Sequence, residues 1–330
     1  MDVAAMIPRS RGRHGGLRWA VSALWLMASA VAKPPVFRFA TAEEGQARLR
    51  HRDDFIQRLS AFDRSARLKS NEAVDEARFL DFVAAQVLDW SGSSRATMSA
   101  AISELAPQWV SLDLPWPEPV WLIRTTGREE GRAAYTRGTG IVFPEAVVEM
   151  GTLPLADRLA HELFHVLSRA NPRLRKTLYA AIGFESCAEV QFPPELAPRR
   201  ITNPDAPAFD QAITVRVDGR ERRVVPVLHA TVDRYPAGDR REFFSFLKFG
   251  FWPLDPTVAA GSVPVLIEPG EMSGFDEQVG RNTGYIIHPE EIIADNFKLL
   301  VRRSTNVTSP TVLRRIEDIL RGAATRGPGQ

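Results

Sequence analysis

Apolar residues recur at helical spacing through the first third of the chain. Between residues 41 and 108 they fall three or four positions apart, as in Phe55, Leu59 and Phe62. This spacing is typical of helices that bury one face against a core. The pattern therefore predicts a mostly helical region over residues 41–108.

Short apolar runs bounded by turn residues follow this region. Residues 120–126 and 134–143 each have the composition of a strand, and Asp218-Gly219 lies between two further apolar runs. An Asp-Gly pair between such runs is a strong hairpin signal. The middle of the chain is therefore predicted to form a small sheet.

Helical spacing returns at residues 154–182, 289–303 and 310–322. The segments between them, at 192–208 and from 231 to about 284, are rich in proline or glycine and are predicted to be loops. Helices first, strands in the middle and helices last indicate an α+β fold.

The N-terminal 32 residues have the features of a targeting segment. A basic start is followed by an uncharged stretch at 19–32, which is shorter than the roughly 20 residues of a membrane span. Small-x-small cleavage sites follow at Ala28-Ser29-Ala30 or Ala30-Val31-Ala32. We predict a signal peptide over 1–32, a single domain over 33–322 and a flexible tail over 323–330. The alternative is an uncleaved N-terminal anchor, and in either case the body is exported to a periplasm or the exterior.

Composition excludes several classes of protein. The 330 residues are 44% hydrophobic and 25% charged, which is ordinary globular usage. Cys187 is the only cysteine, so neither an intrachain disulfide nor a cysteine-based metal knuckle can form. Loss of residues 1–32, with four arginines and one aspartate, changes the formal charge from +2 to −1. A nearly neutral body gives no support for binding nucleic acid or an anionic membrane.

The motif that carries chemistry is His-Glu-Leu-Phe-His at residues 161–165, the H-E-x-x-H pattern. On a helix, His161 and His165 lie four positions apart on one face and can bind one metal ion. Glu162 lies beside them and can act as a general base toward a water that the metal activates. The other interpretation is a surface helix on which these residues have no shared role.

A catalytic zinc site takes a third protein ligand, and two glutamates are candidates. Glu291 follows Pro289, which can begin a helix, and Asp295 lies four residues later on the same face. Glu185 lies 20 residues after His165 in a less helical context. Helix-start signals favour Glu291 over Glu185.

The string Glu-Ile-Ile-Ala-Asp-Asn at residues 291–296 resembles the E-x-I-A-D-N helix of the neprilysin family. Together with H-E-x-x-H, it is similar to the gluzincin class of zinc metallopeptidases, which includes thermolysin and neprilysin. The resemblance implies a zincin-like catalytic unit in which His161, His165 and Glu291 bind Zn²⁺. It also implies that Glu162 is the base and that Asp295 supports the first histidine. The 126 positions from His165 to Glu291 exceed the gap in those families and indicate an inserted substructure.

Other candidate site residues precede the Glu291 helix or the H-E-x-x-H helix. Tyr285 and His288 are candidate catalytic donors to a developing oxyanion. The segment 134–143 is either an edge strand that pairs with an extended substrate or an interior strand without that role.

The sequence thus predicts an exported zinc-dependent peptidase acting on peptides or proteins. One alternative is a zinc-dependent hydrolase of non-peptide amides or esters. Another is a non-catalytic zinc-binding protein, in which His288 or Glu290 would supply a fourth ligand. The pattern leaves open whether residues 41–108 are a prosegment, a lid or core, and it does not fix the substrate or the oligomeric state.

Overall fold

The computed structural model of the chain describes residues 33–236, 238–239, 241–254 and 265–324. Within these residues it has mixed α+β architecture, with eleven α-helices and two small sheets. The helices are α1 (Ala42–Leu49), α2 (Asp54–Arg58), α3 (Ala61–Arg67), α4 (Glu76–Ala84), α5 (Gly92–Leu112), α6 (Glu145–Val148), α7 (Thr152–Ala170), α8 (Pro172–Ala181), α9 (Asp276–Val279), α10 (Pro289–Val301) and α11 (Pro310–Ala324). The strands are β1 (Phe37–Phe39), β2 (Val87–Leu88), β3 (Val120–Thr125), β4 (Tyr135–Arg137), β5 (Gly140–Pro144), β6 (Phe184–Ser186), β7 (Gln211–Val217), β8 (Arg220–Ala230), β9 (Leu247–Pro253) and β10 (Met272–Ser273).

The predicted signal peptide, residues 1–32, lies outside the described residues, as do residues 325–330 of the predicted tail. Helix α11 extends to Ala324, slightly beyond the predicted end at 322. Among the described residues, no helix combines the length and apolar character needed to cross a membrane.

The first sheet has the strand order β1-β3-β5-β4, and β2 also pairs with β3. Strands β1 and β5 run parallel to β3, whereas β4 runs antiparallel to β5. The pairing of Thr136 with Ile141 sets the register of β4 against β5. Strand β4 therefore forms one edge of this sheet.

Alternation along the central strand assigns its side chains to two cores. Val120 and Leu122 of β3 belong to the core that also contains α5, α7 and α10. Trp121 and Ile123 belong to a core formed with α1, α2 and α4. Successive strand residues point to opposite faces, so helices cover both sides of the sheet. The predicted helical region 41–108 therefore packs as part of the core.

Helix α7 lies between the first sheet and α10. Its buried apolar face includes Leu155, Leu159 and Leu163, none of which is accessible to solvent. The helix ends where the Asn171 side chain donates to the Leu167 carbonyl, and Pro172 starts α8. Leu153, at the first turn of α7, lies outside this face and is 56% exposed. The buried apolar face fixes which side of α7 carries the histidines.

The second sheet is antiparallel, with the order β10-β7-β8-β9 and with β6 also paired to β7. Its central hairpin joins β7 and β8 through Asp218-Gly219, as the sequence predicts. All five strands lie in sequence between α8 and α10. This sheet therefore accounts for the long gap between the H-E-x-x-H motif and Glu291.

Two predictions of secondary structure were wrong. The segment 134–143 is a hairpin, β4 followed by β5, because Gly138 adopts a positive φ of 59° at the turn. The stretch from 231 to 284 was predicted to be a loop, yet it contains β9, which pairs with β8 along its whole length. Pairing with a partner strand, rather than local apolar pattern, determines β9.

Candidate metal centre

Helix α7 brings the three polar residues of the motif into the interior. His161 is 5% exposed, Glu162 is 3% exposed and His165 is fully buried. The two imidazole rings lie on one face, with centroids 4.9 Å apart. Buried polar side chains need partners, and those of the motif come from α10 and from the first sheet.

Helix α10 supplies carboxylates because of how it begins. His288 is the N-cap, and its Nδ1 accepts a hydrogen bond from the Glu290 backbone N–H at 3.1 Å. Pro289 occupies the first helical position. Glu290 and Glu291 follow in the first turn, where the helix dipole favours negative charge. Asp295 lies one turn later on the same face as Glu291.

Two ring nitrogens and one carboxylate oxygen converge between α7 and α10. Glu291 Oε2 lies 3.1 Å from His161 Nε2 and 3.6 Å from His165 Nε2. One potential ligand atom from each of these three residues lies within 4.8 Å of the others. Glu291 is 1% exposed, and its other oxygen accepts from Asn203 Nδ2 at 2.6 Å. The structure thus brings together the three predicted metal ligands.

A carboxylate faces the outer nitrogen of each ring. His161 Nδ1 lies 3.0 Å from Asp295 Oδ1, and His165 Nδ1 lies 3.0 Å from Glu290 Oε1. Ionised carboxylates only accept hydrogen bonds, so both Nδ1 atoms carry protons. Each ring can then present the lone pair of Nε2, the arrangement that metal-binding histidines commonly have.

The buried environment of His165 fits a cation at this point. Its Nε2 has no hydrogen-bond partner among the described residues, although the ring is fully buried. A buried nitrogen without a partner is costly, and coordination to a metal ion would satisfy it. Two imidazoles and one carboxylate are a donor set found in metal sites. The group can therefore hold a metal ion.

The carboxylates also set the protonation of the two rings in the metal-free protein. Burial opposes the charged form of His161, but hydrogen bonds to Asp295 and Glu291 outweigh it and raise its pKa to about 9. Burial likewise disfavours charged His165, yet the negative charges of Asp205 and Glu291 raise its pKa to about 10. A metal ion entering the site must therefore displace protons.

Glu162 points toward the edge of the first sheet. Its Oε2 accepts a hydrogen bond from Thr136 Oγ1 of β4 at 3.0 Å. One polar atom from each of Glu162, His165 and Asp205 lies within 4.8 Å of the other two. The predicted base therefore lies next to the metal-ligand group, with a second carboxylate beside it.

The two predicted oxyanion donors occupy different positions. Tyr285 is 43% exposed, and its ring centroid lies 6.5 Å from that of His161. His288 is buried at the N-terminus of α10, where its ring contacts Tyr179 edge-on. Tyr285 thus flanks the metal-ligand group, whereas the described contacts of His288 cap a helix.

The structure does not bring Glu185, the alternative third ligand, to the histidines. It lies on β6 with its side chain exposed, 4.0 Å from Arg223. Glu290, which was considered as a fourth ligand, uses both of its oxygens elsewhere. Oε1 faces His165 Nδ1, and Oε2 accepts from the hydroxyls of Ser168 and Tyr179.

The sequence did not predict the positions of Thr136, Asn203 and Asp205 around this group. It also did not predict that Glu290 supports His165. Asn203 and Asp205 come from the proline-rich stretch 192–208, where no helical or strand period identifies a functional position. The adjacent position of Glu290 and Glu291 was the one available signal. Two acidic residues in a first turn also have an ordinary explanation in the helix dipole.

Scans of this chain against protein-family models, curated proteins and solved structures found no match. The resemblance to gluzincins therefore rests on the two short motifs at residues 161–165 and 291–296.

Proposed function

We propose that the protein is an exported zinc-dependent peptidase with a zincin-like catalytic unit. The observation that carries this proposal is the buried convergence of His161, His165 and Glu291 beside the carboxylate of Glu162. Three protein ligands together with a nearby base are what metal-assisted hydrolysis requires.

Zinc is the proposed ion because of the donor types. Imidazole nitrogens suit zinc and other late transition metals, whereas calcium and magnesium sites are built from oxygens. Two histidines and one glutamate form a common ligand set of catalytic zinc sites. When bound, zinc would polarise a scissile carbonyl and lower the pKa of a water molecule.

The protein's own side chains would then move protons and hold charge. Glu162 would accept a proton from the attacking water and deliver it to the leaving amine. Asp295 and Glu290 would keep the protons of His161 and His165 on Nδ1 and fix the orientation of both rings. Tyr285, exposed beside His161, would donate a hydrogen bond to the negative charge that develops on the carbonyl oxygen.

A peptide is the proposed substrate because the site adjoins a sheet edge. Thr136 of β4 contacts Glu162 through its side chain, and its backbone N–H points away from β5. An extended peptide can add to such an edge through backbone hydrogen bonds. This would place a backbone carbonyl near the metal-ligand group.

The test is the variant Glu162→Gln in the zinc-loaded protein. It removes the base and leaves His161, His165 and Glu291 in place. We expect zinc content equal to that of the parent and a loss of peptide hydrolysis of about a hundredfold or more, a typical contribution of general base catalysis. A quenched-fluorescence peptide library measures the hydrolysis, and metal analysis measures the zinc.

Asp157→Asn is the matched control, since Asp157 is an exposed carboxylate on the same helix that pairs with Arg302. It should retain both zinc and activity. Full hydrolysis by Glu162→Gln would remove Glu162 from the role of base. Turnover of small amides or esters but no peptides would favour the non-peptide hydrolase, and full zinc without turnover of either would favour a zinc-binding protein.

A further inference from the structure

The metal-ligand group and the proposed base are closed off from solvent. None of His161, Glu162, His165 and Glu291 is more than 5% exposed. A peptidase must admit a polypeptide backbone to within contact of these side chains. The described conformation therefore requires some element to move before a substrate can bind.

The segment Asn203–Asp205 contacts the group. Asn203 Nδ2 donates to Glu291 Oε1 at 2.6 Å. Two residues later, the Asp205 carboxylate lies within 4.8 Å of polar atoms of both His165 and Glu162. One short segment thus contacts a metal ligand and approaches a second ligand and the base.

Asp205 also occupies the sheet edge that a peptide would use. The Thr136 backbone N–H of β4 donates to Asp205 Oδ1 at 2.7 Å. This amide points away from β5 and is the group that an added strand would bind. The Asp205 carboxyl oxygen accepts this hydrogen bond where a substrate carbonyl would otherwise accept it. The Asp205 side chain therefore takes the place of a substrate carbonyl at this edge.

A cavity adjoins the same segment. Its volume is about 340 Å³, and Pro204 and Asp205 form part of its wall together with Arg175 and Phe55. A volume of this size lies within the range of ligand pockets. Asp205 thus belongs both to the wall of this cavity and to the surroundings of His165 and Glu162.

The segment is anchored at its N-terminal end by buried side chains. At its C-terminal end it is held by hydrogen bonds that are only partly buried. Thr202 is buried, and its backbone N–H and carbonyl bind Asp63 and Arg67, which are themselves buried. Asn203 and Asp205 are only half-buried, and Arg169 holds the carbonyls of Pro204 and Asp205. Water or a substrate can replace hydrogen bonds at such residues at small net cost.

We propose that Asn203–Asp205 is an internal cover that Asp205 holds closed over the metal centre and that an extended peptide displaces by taking over the Thr136 amide. This inference rests on the proposed function, because it takes the edge of β4 beside the metal centre as the place where a peptide substrate binds. In the closed form, the cover limits access to bound metal as well as to the sheet edge.

The test compares Asp205→Ala with the parent as zinc-loaded full chains. We expect zinc to pass to excess EDTA about tenfold faster, the scale that loss of one hydrogen bond implies. The Thr136 amide should exchange with deuterium faster by a similar factor, and kcat/KM for the peptide library should rise. Asn203→Ala leaves Asp205 in place and should also raise zinc release, Thr136 exchange and kcat/KM. With two variants, a folding defect in one of them does not decide the outcome.

Glu195→Ala is the matched control, because Glu195 is an exposed carboxylate in the same proline-rich stretch. The proposed cover would be overturned if Asp205→Ala released zinc, and exchanged the Thr136 amide, at the same rates as the control. A lower kcat with unchanged zinc release would overturn it as well and would assign Asp205 to the chemistry. Faster zinc release and exchange without peptide hydrolysis by any variant would support the cover and reject the peptidase function.

Discussion

The two imidazoles of the metal centre are each held between carboxylates. Asp295 and Glu290 bind the outer nitrogens, and Glu291 lies between the inner ones. Adjacent positions on a helix point about 100° apart, so Glu290 and Glu291 can reach opposite sides of His165. Ser168 and Tyr179 hold Glu290 from behind. The site is therefore braced on both sides before any metal enters.

This bracing predicts that Glu290 controls metal affinity without binding the metal. The glutamine side chain of Glu290→Gln has one acceptor oxygen and one NH2 group. If the NH2 group faces His165, it opposes the proton on Nδ1. If it faces Ser168 and Tyr179, it can no longer accept hydrogen bonds from their hydroxyls. We expect zinc affinity to fall about 10- to 100-fold, the usual effect of losing a group that orients a ligand histidine. Competition with a chromophoric chelator measures this affinity.

Ser168→Ala is the control, because it removes one hydrogen bond to Glu290 and leaves the contact with His165 intact. Its zinc affinity should stay near that of the parent. Unchanged affinity in Glu290→Gln would show that the contact with His165 does not position the ring.

Among the elements, those with a strong local period were predictable. The amphipathic helix α7 lies where apolar spacing places it, and helix α10 begins at Pro289, as predicted. Strand β3 ends within one residue of its predicted end. Strands β2, β6, β9 and β10 are short or depend on a distant partner, so their own residues carry too little signal.

The packing of α1 against the first sheet gives a prediction at this scale. A Cβ atom at Gly45 would lie 2.7 Å from Val87 Cγ1 and 3.1 Å from Ile123 Cγ2. Overpacking costs about 1–3 kcal/mol, while alanine gains up to about 1 kcal/mol in helix propensity. Gly45→Ala should therefore destabilise the protein by about 1 kcal/mol in urea unfolding.

Gly92→Ala is the matched control at the first residue of α5, where an added Cβ meets nothing within 4 Å. It should leave stability unchanged or raise it by up to about 1 kcal/mol. Equal stability of the two variants would show that α1 does not pack tightly at Gly45.

In the whole molecule, the metal centre is assembled from segments that are far apart in sequence. The motif at 161–165 identified three of its residues, and the resemblance at 291–296 identified Glu291 and Asp295. Glu185 lies closer to His165 in sequence, but it is on β6 with its side chain exposed. Asn203 and Asp205 reach the site through a loop whose path depends on buried Asp63 and Arg67. No local pattern encodes such a path.

The same assembly links stability to pH and metal. The pKa of His161 is about 9 and that of His165 about 10, both above the usual 6.5. The protonated histidines therefore stabilise the folded protein fully below pH 6.5, and this contribution to the free energy of unfolding is lost as the pH rises toward 10. Despite burial, the histidines lower the pKa of Glu291 to about 2, and its contribution is lost only as pH falls below 4.5. Zinc must displace the histidine protons, so it should raise the Tm more at pH 8 than at pH 6.

Thermal unfolding with EDTA or with zinc at the two pH values measures this difference. His229→Gln is the control, because His229 lies on β8 and outside the metal-ligand group. It should preserve the difference between the zinc-induced changes in Tm at the two pH values. A zinc-induced change in Tm that is the same at pH 6 and pH 8 would contradict proton displacement by the metal.

The most direct test of the account is the zinc content and peptide hydrolysis of three purified proteins, namely the parent chain, Glu291→Gln and Glu185→Gln. Both variants replace a carboxylate with an amide, but only Glu291 lies with His161 and His165. We expect Glu291→Gln to lose zinc and activity together and Glu185→Gln to retain both. Loss of zinc in Glu185→Gln with full zinc in Glu291→Gln would contradict the proposed metal centre.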